Sequence, residues 1–143
     1  MAKFKFRLEI LLTLAKNREE ELKKELALWQ KRKHEALESL AKIEDQIIIA
    51  GREKVAKKNI QDILVYEFFL EKLRNDKQIK EDEVEYFTIE VDKTIQKLAE
   101  AMKERKMLEK LKEKKLAQYQ EEQDFIEQKE LDEVGTNIFL EGR

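Results

Sequence analysis

Apolar residues recur along most of the chain at steps of three and four, the spacing that lines them up on one stripe of an α-helix. From residue 8 the stripe reads Leu8, Leu11, Ala15, Arg18, Leu22, Leu26, Trp29, Lys33, Ala36, Leu40, Ile43, Ile47 and Ala50. An average step of about 3.5 residues is that of a coiled-coil seam. Two successive steps of four, from Arg18 through Leu22 to Leu26, predict a slip that relaxes the supercoil there. Arg18 and Lys33 fall on the stripe, where their stems would lie along the seam or face polar partners. A second stripe runs through Ile63, Tyr66, Leu70, Leu73, Lys77, Lys80, Val84, Phe87, Val91, Thr94, Leu98, Ala101, Arg105, Leu108, Lys112, Lys115, Tyr119, Glu122 and Ile126. It is dense in apolar residues as far as Leu98 and thin beyond.

Between the stripes, Gly51 costs a helix about 1 kcal/mol relative to Ala, and residues 52–58 show little apolar periodicity. Asn59 has the chemistry of an N-cap, with Asp62 three residues on to favour the exposed amides of a first turn. Gly135 follows Leu131 and Val134, where a helix C-terminus would want it. The pattern therefore predicts a helix over 4–50, a turn region over 51–60, a helix over 60–134 and a loose tail over 135–143. Two long helices joined by a short turn must run antiparallel. The expected architecture is all-α: a single domain over 1–143, an antiparallel two-helix coiled coil (a long α-hairpin) with a longer second helix. Burial should peak at Leu22, Leu40, Ile43, Ile47, Leu70, Leu73, Val84 and Leu98. A turn centred near residue 56 would set Leu8 opposite Arg105, and about 35 Å of the second helix would then overhang without a partner in the chain.

Composition supports the rod and removes most chemistry. Of 143 residues 43% are charged, with no Pro, no Cys and three Gly, which suits long helices and not sheets. Basic and acidic residues nearly balance, 30 against 32, so nothing marks a nucleic-acid binder. No stretch approaches the apolar length of a membrane span, and the basic start lacks the apolar core of a signal peptide; the expectation is a soluble, cytoplasmic protein. His34 is the only histidine and reads as a solvated flank of the seam. Carboxylates abound, but a rod offers no pocket in which to tune them. No phosphate loop, dinucleotide fingerprint or nucleophile elbow occurs. The expectation is no enzyme, no cofactor, no metal and no small-molecule substrate.

Three surfaces could still bind. Residues 103–115 are rich in Lys and Arg and would neighbour Lys3, Lys5 and Arg7, forming either a solvated face or a basic collar for an acidic partner. The helix beyond them turns acidic, with Glu121, Glu122, Asp124, Glu127, Glu130, Asp132 and Glu133, which opposes the helix dipole. Around the turn, Ile48, Ile49, Phe68 and Phe69 exceed what a two-helix seam can use, so they are either buried by the turn or form a docking patch.

Particular residues carry a resemblance. The opening Phe4-Lys5-Phe6-Arg7-Leu8-Glu9-Ile10-Leu11-Leu12 with Glu19-Glu20-Glu21-Leu22, the segment Tyr66-Glu67-Phe68-Phe69-Leu70-Glu71-Lys72-Leu73 and the ending Leu131-Asp132-Glu133-Val134-Gly135 resemble the flagellar type III export protein family FliJ. The resemblance implies a small antiparallel coiled coil, similar to the central stalk of rotary ATPases. It would couple the hexameric flagellar export ATPase to the membrane export gate protein and to export chaperones, peripheral at the inner face of the cell membrane. Its ends would enter the ATPase ring, here through Lys3, Lys5, Arg7, Leu8, Leu11, Arg105, Lys112, Lys115, Tyr119, Phe125 and Ile126. The gate contact would map to Ile49, Tyr66, Phe68, Phe69 and Leu73, although Asp76 and Lys80 depart from the family pattern there. A hairpin chaperone or scaffold, or a stalk subunit of another rotary ATPase, shares the shape.

Overall fold

The computed structural model describes residues 3–142; the expectations for residues 1, 2 and 143 lie outside the described residues. Two helices account for nearly all of it: α1, Glu9–Ala56, and α2, Ile60–Glu141. They pair antiparallel, the second is the longer, and no strand occurs among the described residues. The architecture is the one the periodicity predicts.

Three boundaries differ from expectation. The helix at the start begins at Glu9 and not at residue 4, because residues 3–6 take no regular secondary structure and residues 7–8 form a turn. Lys3, Lys5 and Arg7 are exposed while Phe4, Phe6 and Leu8 are half-buried, a period-two alternation. The first helix also passes through Gly51 to Ala56. Contacts on either side hold it: Ala50 is buried with Leu70 and Leu73, and Lys54 pairs with Glu67. The chain reverses within residues 57–59, where Lys57 N–H donates to the Lys54 carbonyl at 3.2 Å. Asn59 caps α2, its Oδ1 accepting from the Gln61 amide at 3.0 Å. Lastly, α2 runs through Gly135 to Glu141. Gly135 does not take a positive φ, and no Pro follows to stop the helix. The tail expected to be loose is helical as far as Glu141.

The chain divides into two compact units, one of Glu20–Ala99 and one made from the chain ends up to Glu19 and from Glu100 onward. In the first unit Leu22, Leu70 and Leu73 are buried as expected, and Ile47 and Tyr66 pack against Ala50, Leu70 and Leu73. Leu40, Ile43, Ile47, Val84 and Leu98 are only half-buried. Full burial goes instead to small or slim residues such as Ala36, Ala50, Val91 and Thr94. Two helices seal only what sits directly between them, so Leu22, Leu70 and Leu73 are shut off from water while large side chains at the edge of the seam stay half-wet. The Thr94 hydroxyl is satisfied by donating to the Glu90 carbonyl at 2.8 Å. Trp29, Tyr86 and Phe87 form a ring cluster with centroids 5.6–6.1 Å apart.

In the second unit the seam departs from the predicted stripe. Leu12 and Glu19 are buried, whereas Leu11 and Arg18 are exposed. The seam of α1 therefore reads 8, 12, 15, 19, 22, 26, 29, with steps of four and three alternating throughout. The slip expected at Leu22 does not occur. Leu11 and Leu12 are equally apolar, so the sequence offered no reason to prefer one, and burial of Glu19 depends on a partner far along the chain. That partner is Arg105, whose Nε and Nη2 both donate to the Glu19 carboxylate while Nη1 donates to Glu109 at 2.9 Å. Ala101 is buried in the same unit. Glu9 pairs with Lys112 at 2.9 Å and Phe4 stacks on Tyr119, so Leu8 does not lie opposite Arg105 as expected. The later turn moves the pairing toward the C-terminus of α2.

Candidate partner-binding surfaces

The end unit carries the first surface. The N-terminal segment 3–8, which turns at residues 7–8, meets Leu111, Lys115, Gln118, Tyr119 and Glu122 around a groove of about 650 Å³. Phe4 and Tyr119 rings sit 5.6 Å apart at a 51° tilt, a favourable aromatic geometry. The backbone joins the segment to α1 through the Glu9 amide, which donates to the Phe6 carbonyl at 3.0 Å. Lys3, Lys5 and Arg7 are exposed and help line this groove, and Lys115 is exposed as well. A second groove, lined by Leu11, Leu14, Ala15, Arg18, Glu104, Met107 and Leu108, has a volume of about 340 Å³.

The residues expected at the ATPase ring therefore separate into groups. Lys3, Lys5, Arg7, Leu11, Lys115, Phe125 and Ile126 are exposed, and Leu8 and Tyr119 are half-buried at the N-terminal segment. Arg105 and Lys112 are held within the chain by Glu19 and Glu9. The Glu19 hydrogen bonds, and then those of Glu109, push the Arg105 guanidinium above its ordinary pKa, so its charge is committed to the seam. Beyond Gln123 every described residue of α2 is exposed, including Leu131, Val134 and Ile138. The period-two pattern of Phe4, Phe6 and Leu8 was a legible signal of the non-helical segment that the helical reading passed over.

The turn end of the other unit carries the second surface. Ile48, Ile49, Phe68 and Phe69 are exposed, so the turn does not bury the surplus apolar side chains. They are joined there by Val55, 86% exposed, and by Ile60, Leu64 and Val65. Leu73, expected in this patch, is 4% exposed and belongs to the core. Tyr66 is half-buried, packed against that core, with the Lys57 ammonium 5.4 Å from its ring centroid. A hydrogen bond to Glu53 pushes the Tyr66 hydroxyl above the usual tyrosine pKa. Lys54, hydrogen-bonded to Glu67, holds the Glu67 carboxyl below the usual range, with Arg74 at 3.4 Å helping.

Among the described residues no group of His, Cys, Asp or Glu is arranged to hold a metal, and no helix is long and apolar enough to cross a membrane. His34 pairs with Glu38 at 2.9 Å on an exposed face. What the molecule offers is therefore surface: a basic strap beside an uncovered helix, and an apolar turn. Neither a curated protein nor a solved structure matches the chain. The family model described as "Flagellar FliJ protein" matches residues 4–143. With the match covering essentially the whole chain, and with two antiparallel helices as the fold, the protein belongs to the flagellar FliJ family and so to the components of the flagellar export apparatus.

Proposed function

We propose that this chain couples the hexameric export ATPase to the membrane export gate protein and to export chaperones, as an adaptor that resembles the central stalk of a rotary ATPase. The observation that carries the reading is the uncovered C-terminal part of α2. Eighteen residues, 124–141, stay helical and all are exposed, including Phe125, Ile126, Leu131 and Val134. A lone helix of this length is marginal in water. Its last turn also holds no basic residue to offset the dipole, only Glu141, which opposes it. A sleeve that receives it would supply the missing stability. The ring-facing set is Lys3, Lys5, Arg7, Leu11, Lys115, Phe125 and Ile126, with Leu8 and Tyr119 supporting the strap. Exposed basic side chains on this strap favour fast, adjustable association over tight binding.

The gate-facing set is Ile49, Phe68 and Phe69, with Tyr66 at its edge and Leu73 supporting from the core. Exposed aromatics on a helix surface are frequent anchors of docking. The protein would then sit in the cytoplasm, peripheral to the membrane through its partners. Pull-downs against the purified ATPase and the gate protein test both sets. Lys3→Glu/Lys5→Glu/Arg7→Glu should lose the ATPase and keep the gate, and Phe68→Ala/Phe69→Ala the reverse. Loss of both partners in either variant would contradict two separate surfaces.

A further inference from the structure

The face of α2 turned away from α1 in the end unit carries charge in two blocks of opposite sign. Steps of four and three from residue 103 pick out Lys103, Met107, Lys110 and Lys114, then Ala117, then Glu121, Phe125, Gln128 and Asp132. All nine are exposed. The wider segments agree: residues 103–115 hold seven basic and three acidic side chains, and residues 121–133 hold seven acidic and one basic. A helix rises about 1.5 Å per residue, so the stripe is about 44 Å long, basic over one half and acidic over the other.

We propose that this face binds a second copy of the same chain, antiparallel, about a two-fold axis at Ala117. Turning one helix end for end sets Lys114 beside Glu121 of the other copy, Lys110 beside Asp124 and Lys103 beside Asp132. Glu104 likewise meets Lys129. Two-fold symmetry makes each of these contacts twice. A parallel pair would oppose like charges along the whole stripe, so the pattern selects orientation as well as partner. Met107 and Phe125, 71% and 69% exposed, lie on this stripe and would be covered. The intrachain bond on the stripe, Gln128 Nε2 to Asp132 Oδ1 at 3.2 Å, runs along the helix and leaves the carboxylate's other lone pairs available. With so few apolar residues the dimer is weak, reversible and governed by salt. It rests on the charge stripe and not on the proposed partners, and because Phe125 also belongs to the ring-facing set, the dimer and entry of the α2 end into the ring exclude each other.

Analytical ultracentrifugation of the full chain alone tests this. Dimer is expected at roughly 10 mM salt, where charges act over about 30 Å, and monomer at roughly 1 M, where they act over about 3 Å. Lys103→Glu/Lys110→Glu/Lys114→Glu makes the stripe wholly acidic, and Glu121→Lys/Asp124→Lys/Asp132→Lys makes it wholly basic. Each variant alone should weaken association on the order of tenfold or more, and an equimolar mixture should recover a one-to-one dimer. The chain has no Cys, so Ala117→Cys introduces a single thiol beside its own copy. Mild oxidation at low salt should give a disulfide-linked dimer, whereas Met107→Cys should not, its copy lying far along the stripe. A chain monomeric at low salt, charge-reversed variants that associate unchanged, or equal crosslinking at both positions would overturn the proposal.

Discussion

Replacing Leu12 and Leu11 by Ala, one at a time, separates the observed seam from the one the apolar pattern suggests. Leu12 is 1% exposed between the helices, whereas Leu11 beside it is 49% exposed. Truncating a buried Leu to Ala typically costs about 2–5 kcal/mol, depending on how far the site collapses. A two-helix seam is open at its sides and can relax, so Leu12→Ala should fall at the lower end, about 2–3 kcal/mol. Leu11→Ala should cost about 0.5 kcal/mol, the usual range for a surface position. Urea unfolding followed by helical ellipticity reads both, with the slope against urea unchanged if only stability is altered. In a chain of this size the difference corresponds to roughly 5–10 °C in melting temperature. Equal losses for the two variants would mean that Leu11 shares the seam, with the slip at Leu22 restored and the alternating register wrong.

Other outcomes follow from the same packing. Gly51→Ala should stabilise the protein by about 0.5–1 kcal/mol in the same unfolding assay, because an added Cβ meets nothing within 4 Å and the position is helical. Leu73→Ala should cost about 2–4 kcal/mol while Phe69→Ala leaves the melting curve nearly unchanged, since the first is core and the second flank; a Phe69→Ala that melts the hairpin would place that ring in the core. The Glu67 carboxyl is held low by Lys54, so its contribution to stability is complete above the ordinary carboxylate pKa and disappears as pH falls through the lower, folded value. Glu67→Gln should remove that part of the acid dependence in pH-resolved melts, and an unaltered acid limb would show that the pair contributes nothing.

Much of this molecule is legible in its sequence, because a coiled coil is written in local spacing. The antiparallel pairing, the second helix, the Asn59 cap and the surplus apolar side chains at the turn all follow from residues within a few positions of one another. What escaped depends on distant residues or on a second periodicity. Burial of Glu19 follows only from Arg105, and that pair decides whether Leu11 or Leu12 faces inward. Gly51 and Gly135 are weak breakers, and neighbouring contacts or the lack of a competing turn carry the helix through them. At the N-terminus the alternation from Lys3 to Leu8 is strand-like, but the heptads that follow it dominate the pattern. Of the expected partner residues, Leu73, Arg105 and Lys112 turn out to face their own chain, since a seam residue and a partner-facing residue have the same composition.

ATP hydrolysis by the purified export ATPase tests the coupling claim most directly, with added full-length protein compared against a chain ending at Gln123. The shorter chain keeps the strap contact at Tyr119 and the Glu9–Lys112 and Glu19–Arg105 pairs, and loses only the uncovered part of α2. The full chain should stimulate hydrolysis, and the shortened chain, with its remaining helicity intact, should not. Equal stimulation by both would contradict insertion of the α2 end into the ring.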